Sequence, residues 1–154
     1  MANTGKKKNT FLYFVFFAYV AVMLWLLFGR SNQYIEGVDY VQQLKGNMSL
    51  KPFYTIRNYF YVVTHHSHSS SLYRHCMINL LGNVVLFIPA GIFLPMLWKK
   101  LRNFFLFFLV CFLAIALVEG LQLVTLLGSC DVDDLILNLA GMILGYIFYQ
   151  IFKR

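Results

Sequence analysis

Glu119 and Gln122, Asp131, Asp133 and Asp134, and Asn138 place four carboxylates and two amides in or beside segments otherwise apolar enough for lipid. Only six acidic residues occur in the chain, and four of them fall here. An acidic side chain at the centre of a membrane helix costs about 2.5–3.5 kcal/mol on insertion scales, so it normally faces a partner, a cavity or a ligand. Carboxylates at one level can accept hydrogen bonds from a ligand's amines or hydroxyls. They can also share a proton, hold a divalent cation, or serve as acid and base. The candidate catalytic groups are therefore Glu119, Asp131 and Asp134.

The elements that must carry these residues follow from composition. Of 154 residues, 60% are hydrophobic and only 12% charged, against roughly a quarter charged in soluble domains. Four apolar runs, 11–28, 77–98, 104–127 and 135–152, reach the ~17–25 residues that a hydrocarbon core requires. The expected fold is all-α and integral to the membrane: four transmembrane helices with a short interfacial helix in the first outer loop. The first run follows Lys6, Lys7 and Lys8, but is longer than a signal-peptide core and lacks a small-x-small cleavage site, so it reads as an uncleaved span.

Residues 1–10 read as a disordered basic tip, 29–76 as the extracytoplasmic loop, 77–152 as a three-span core and 153–154 as a cytoplasmic end. The net charge of +7 reflects orientation rather than nucleic-acid binding. Lys6, Lys7, Lys8, Lys99, Lys100, Arg102, Lys153 and Arg154 crowd short segments on one side, whereas Arg30, Lys45, Lys51, Arg57 and Arg74 are spread through the long loop. Both termini are predicted inside and the acidic residues outside.

Within the loop, the aromatic stretch from Pro52 to Val63 starts with a proline suited to a helix N-terminus and favours the membrane interface. The following His65-His66-Ser67-His68 reads as flexible. Pro89 and Pro95 each remove a hydrogen bond from the second span and are expected to kink it. Short turns make spans two, three and four antiparallel neighbours, with span one tethered more loosely.

Residues three, four or seven apart share a helix face. Glu119 and Gln122 then point one way from span three, and Asp131, Asp134 and Asn138 line one face of span four. Asn79 and Asn83 align on span two. Glu119 lies about 22 Å from the inner boundary at Phe104, level with the others. A plainer account makes one aspartate, Asp131 or Asp133, an N-cap, and the amides interhelical glue. Asp133, out of phase, reads as the solvent-facing cap. Gly141-x-x-x-Gly145 reads as a close helix contact.

No metal is assigned, because His65, His66, His68 and His75 match no strong ligand spacing. No motif defines a cofactor. Cys76 and Cys130 both fall on the outer side, where a disulfide is chemically open to them. Asn47-Met48-Ser49 fits a glycosylation sequon, a pattern that is common by chance.

The pattern Asn83-Val-Val-Leu-Phe87-Ile-Pro89-Ala-Gly91, then Glu119-Gly-Leu-Gln122, then Asp131-Val-Asp133-Asp134 through Asn138, Gly141 and Gly145 resembles the VanZ family. Leu50-Lys-Pro52-Phe53 is similar to an element preceding that family's second span, so the likeness runs over about residues 49–152. The chain departs in having Ser49 where many members carry Asn, and Gly128-Ser129-Cys130 where many carry Arg. Arg57 or Arg74 is the expected substitute if that arginine pairs with a carboxylate. The resemblance implies a bacterial plasma-membrane protein associated with resistance to teicoplanin-type glycopeptides.

Two functions remain open from the residues. In one, Asn79, Asn83, Glu119, Gln122, Asp131, Asp134, Asn138 and Arg57 form a polar pocket in the outer leaflet. Membrane lipids, a lipid-linked peptidoglycan precursor or a lipoglycopeptide would occupy it. In the other, the Glu/Asp cluster belongs to a hydrolase or transferase acting on a lipid-linked envelope substrate. The absence of HExxH, of a serine-nucleophile motif and of a phosphate-cradling glycine loop weighs against the second.

Overall fold

The computed structural model describes residues 2–29, 34–65 and 70–153, with side chains from residue 10 onward. Six α-helices carry it: α1 (Ala2–Phe28), α2 (Tyr40–Gly46), α3 (Tyr54–His65), α4 (Ser71–Leu97), α5 (Phe104–Thr125) and α6 (Val132–Phe152). Two short strands, β1 (Met48–Ser49) and β2 (Cys130–Asp131), pair in parallel, and a 3₁₀ turn at Lys99–Arg102 joins α4 to α5. Thr10–Phe28, α4, α5 and α6 are long and apolar enough to cross a membrane. Many large apolar side chains on them point away from the protein, Phe105 being 81% and Phe152 76% exposed. That outward apolar surface is what a lipid solvent allows.

Helix boundaries differ from expectation where a side chain supplies the cap. Ser70 Oγ accepts from Tyr73 N at 3.0 Å and starts α4 at Ser71, so His75 and Cys76 belong to the helix rather than the loop. Asn103 caps α5 through Leu106 N at 3.1 Å, and Leu126, in the left-handed region at φ 53°, ends it. At the N-terminus α1 is helical from Ala2, where a disordered tip was expected. The long loop contains α2 in addition to the expected α3.

The fold centres on the α4–α6 pair, which has the most extensive contact in the molecule. Its closeness comes from glycine. A methyl group on Gly91 would collide with the carbonyl oxygen of Met142, one on Gly141 with that of Val84, and one on Gly145 with that of Ile88. The expected packing role of Gly141 and Gly145 therefore holds, with Gly91 as the opposing member. On the other side of α6, Phe107 and Tyr146 pack at 4.6 Å between ring centroids, and the buried Tyr146 hydroxyl donates to Arg102 O at 2.6 Å.

The helix of α4 runs through both Pro89 and Pro95. Proline at 89 denies an N–H to the carbonyl of Val85, and at the adjacent carbonyl, Leu86 O, the Tyr19 hydroxyl of α1 donates at 2.6 Å. Phe16 of α1 packs edge-on against Trp98 and Phe93. At the other end of α1, Leu27 O accepts from Gln122 Nε2 at 3.0 Å. Span one is thus bonded to the bundle at its middle and at its Leu27 end, yet it packs against the other spans far less than α4 packs against α6, as its looser tether implied.

Candidate functional site

Residue 48 to residue 56 folds back over the start of α6. The β1–β2 bridge pairs Met48 with Cys130 and Ser49 with Asp131, and Cys130 N donates to Asn47 O at 2.9 Å. Phe53 then adopts a left-handed backbone at φ 61°, an uncommon conformation for an aromatic residue. That turn aims two N–H groups at one carboxylate: Phe53 N meets Asp133 Oδ1 at 2.5 Å and Ile56 N meets Asp133 Oδ2 at 2.9 Å. These are orphan donors at the start of α3, so Asp133 caps a helix other than its own.

Asp133 is accordingly fully buried, at 0% exposure, and the solvent-facing role expected for it is overturned. Helical phase locates a side chain only relative to its own axis. Here the face that should have met water is covered by the returning loop. Asp131 is the N-cap of α6, as one account had it, since its Oδ1 accepts from Asp133 N at 2.9 Å. Its Oδ2 accepts from the Thr55 hydroxyl at 2.6 Å. Both aspartates chiefly hold α3 and α6 together, and charge-assisted bonds to N–H and O–H groups make their burial tolerable.

Beside this clasp lies a cavity of about 750 Å³. Its wall includes Asn79, Asn83, Glu119, Gln122, Asp131, Asp134 and Asn138, so α4, α5 and α6 do bring the expected polar residues to one level. Asn83 Nδ2 donates to Asp134 Oδ1 at 2.6 Å, tying α4 to α6. Glu119, 4% exposed, accepts only long bonds: 3.4 Å from Asp131 N and 3.5 Å from Asn138 Nδ2. Asn138 is 2% exposed, and its Oδ1 has no partner among the described residues.

The remaining residues divide. Gln122 lines the cavity but spends its amide on Leu27 O and packs over Gly128. Asn79 lies on the wall with its Nδ2 bonded back to His75 O at 3.0 Å. Arg57 is exposed on α3 and is not part of the wall, and Arg74 is exposed as well, so neither stands in for the family's arginine. Among the described residues lining the cavity there is no Lys or Arg. All three cysteines are free, so Cys76 and Cys130 form no disulfide.

His65 stacks on Tyr61, while His66 and His68 lie outside the described residues. No three described His, Cys, Asp or Glu side chains group as a metal-binding set.

Two wall residues, Tyr59 and His75, escaped the helical-phase argument. Tyr59, from α3, sits edge-on to His75 of α4 at 6.2 Å. Burial, then the charges of Asp134, Cys76 and Asp131, push the Tyr59 phenol above its ordinary range, which keeps it a neutral donor. The Cys130 thiol is raised by burial, then Glu119 and Asp131, and is held away from the thiolate form. The aromatic run in the loop marked Tyr59 only as one of several interfacial rings.

Four membrane-length helices around an acidic, amide-lined cavity, with a loop helix beside it, define a polytopic helical membrane protein with a polar cavity among its spans. A family model described as VanZ/LLP1 matches residues 16–153, and the chain belongs to that family. The match includes the second half of α1, from Phe16 to Phe28, which the motif likeness from residue 49 onward had left out. Neither a curated protein nor a solved structure matches the chain.

Proposed function

We propose that this VanZ-like protein resides in the bacterial plasma membrane with both termini inside and the cavity at the extracytoplasmic face. There it confers resistance to teicoplanin-type glycopeptides by holding an amphipathic envelope molecule. That molecule is a lipid-linked wall precursor, a membrane lipid or the lipidated drug.

The observation that carries the reading is the junction of polar wall and apolar flank. Ile78 and Val85 line the cavity yet are 55% and 60% exposed, with Gly82 between them on the same face of α4. The cavity therefore opens sideways toward surface that lipid would cover, and an acyl chain outside with a polar head inside fits that opening.

A second reading, a hydrolase or transferase acting on a lipid-linked substrate, draws on Glu119 and Asp134 facing one cavity. Conservative substitutions separate the two. Glu119→Gln and Asp134→Asn keep size and some hydrogen bonding while removing charge. For the binding role, both variants should remain folded and lower the inhibitory drug concentration, with wall-precursor composition unchanged. A changed precursor pool with unaltered retention of drug in membranes would select the enzyme, and resistance intact in both variants would exclude acid–base chemistry.

A further inference from the structure

We infer that the head group held in the cavity is a protonated amine, so that the ligand is an ammonium-bearing amphiphile; this rests on the pocket reading above. Hydrogen-bond accounting within the wall points there. Each wall amide has at least one N–H engaged within the protein: Asn83 on Asp134, Asn138 on Glu119, Gln122 on Leu27 O and Asn79 on His75 O. Both oxygens of Asp131 are taken, by Asp133 N and the Thr55 hydroxyl.

No Lys or Arg faces the cavity, and several of its acceptors are left short of donors. Asn138 Oδ1 is buried and unpartnered, Asp134 has one oxygen without a bond among the described residues, and Glu119 is held only at 3.4 and 3.5 Å. A buried polar atom without a partner costs about 1–3 kcal/mol, which a bound donor would recover.

An ammonium group supplies three N–H donors and the positive charge that the wall itself lacks. An anionic head would meet carboxylates with no cation beside them, and a neutral alcohol brings one donor for several acceptors. The Tyr59 ring at the wall adds a surface to which a cation is attracted. A bare divalent ion would need a set of three grouped ligands, and the described side chains provide none. The lateral opening between Ile78 and Val85 accommodates the chain attached to the amine.

The test uses the full chain in nanodiscs doped with dodecylamine, dodecanol or dodecanoate, which share a chain and differ in head group. Native mass spectrometry after release reads the retained molecule. Dodecylamine should be retained at least about tenfold better than the other two, the ratio that 1.4 kcal/mol of differential binding produces. Asp134→Asn and Asn138→Leu should abolish the preference, with thermal unfolding monitored to confirm that each variant is folded. Equal retention of dodecanol, preference for dodecanoate, displacement of the amine by calcium, or a preference unchanged in Asp134→Asn each overturns the inference. A bound alcohol or acid that Asn138→Leu releases refutes the amine while sparing the pocket. No retention of any of the three, with resistance intact in both Glu119→Gln and Asp134→Asn, removes the pocket as well.

Discussion

Around Gly141 and Gly145, α6 presses on α4 backbone to backbone, and a methyl group at Gly145 would lie 2.8 Å from Gly91 Cα. One to three turns nearer the long loop, at Asn138, Asp134 and Asp131, the same two helices border a cavity of about 750 Å³. The glycine stretch removes side chains so that dispersion contacts between backbones hold the pair without polar groups. The loop end gives up that closeness and substitutes one short bond, Asn83 to Asp134. The clasp on α3 by Asp131 and Asp133 completes it. A tight seam thus acts as the fulcrum that lets a costly polar cavity exist at one end.

Breaking the seam should have the largest effect. Gly145→Val forces a branched side chain into the Ile88 carbonyl and Gly91, neither of which can move aside, and should cost about 3 kcal/mol or more. Thermal unfolding in detergent should show a large loss or no folded protein, whereas a normal transition would mean that the backbone contact is not what holds the pair.

Breaking the clasp should be smaller and local. Asp133→Ala leaves Phe53 N and Ile56 N unpaired and should cost about 2 kcal/mol. Hydrogen exchange should rise across residues 47–65 while α4 and α6 near the glycines stay protected. A uniform rise would merge the two regions into one cooperative unit. The charge-removing pair Glu119→Gln and Asp134→Asn comes next, altering function more than stability.

Arg57→Ala should come last, within about 0.5 kcal/mol and with unchanged drug susceptibility, because Arg57 is exposed and outside the wall. Lost resistance in that variant would reinstate it as a ligand-binding group.

Much of the site was legible from spacing. Glu119, Asp134, Asn138 and Asn83 share a level because antiparallel helices of known rise and short turns leave little freedom along their axes. Gly141 and Gly145 were legible for the same reason. Asp133 was misread, since phase within α6 says nothing about a strap made of residues 48–56. Arg57 was expected to stand in for the arginine that many family members carry, but it is exposed on α3 and outside the cavity wall. Tyr59 had no distinguishing signal among many aromatic neighbours.

Composition and period alone determined that this is a four-span helical membrane protein with its acidic residues gathered at one end. Lipid-length apolar runs admit few other backbone solutions, because each peptide group must be bonded within its own helix. Only the tertiary structure decided which carboxylates are cement and which face the cavity. That division depends on whose N–H groups arrive from residues 53 and 56, far along the chain. A loop's return path is set by non-local pairing such as Met48 with Cys130, which no local periodicity encodes.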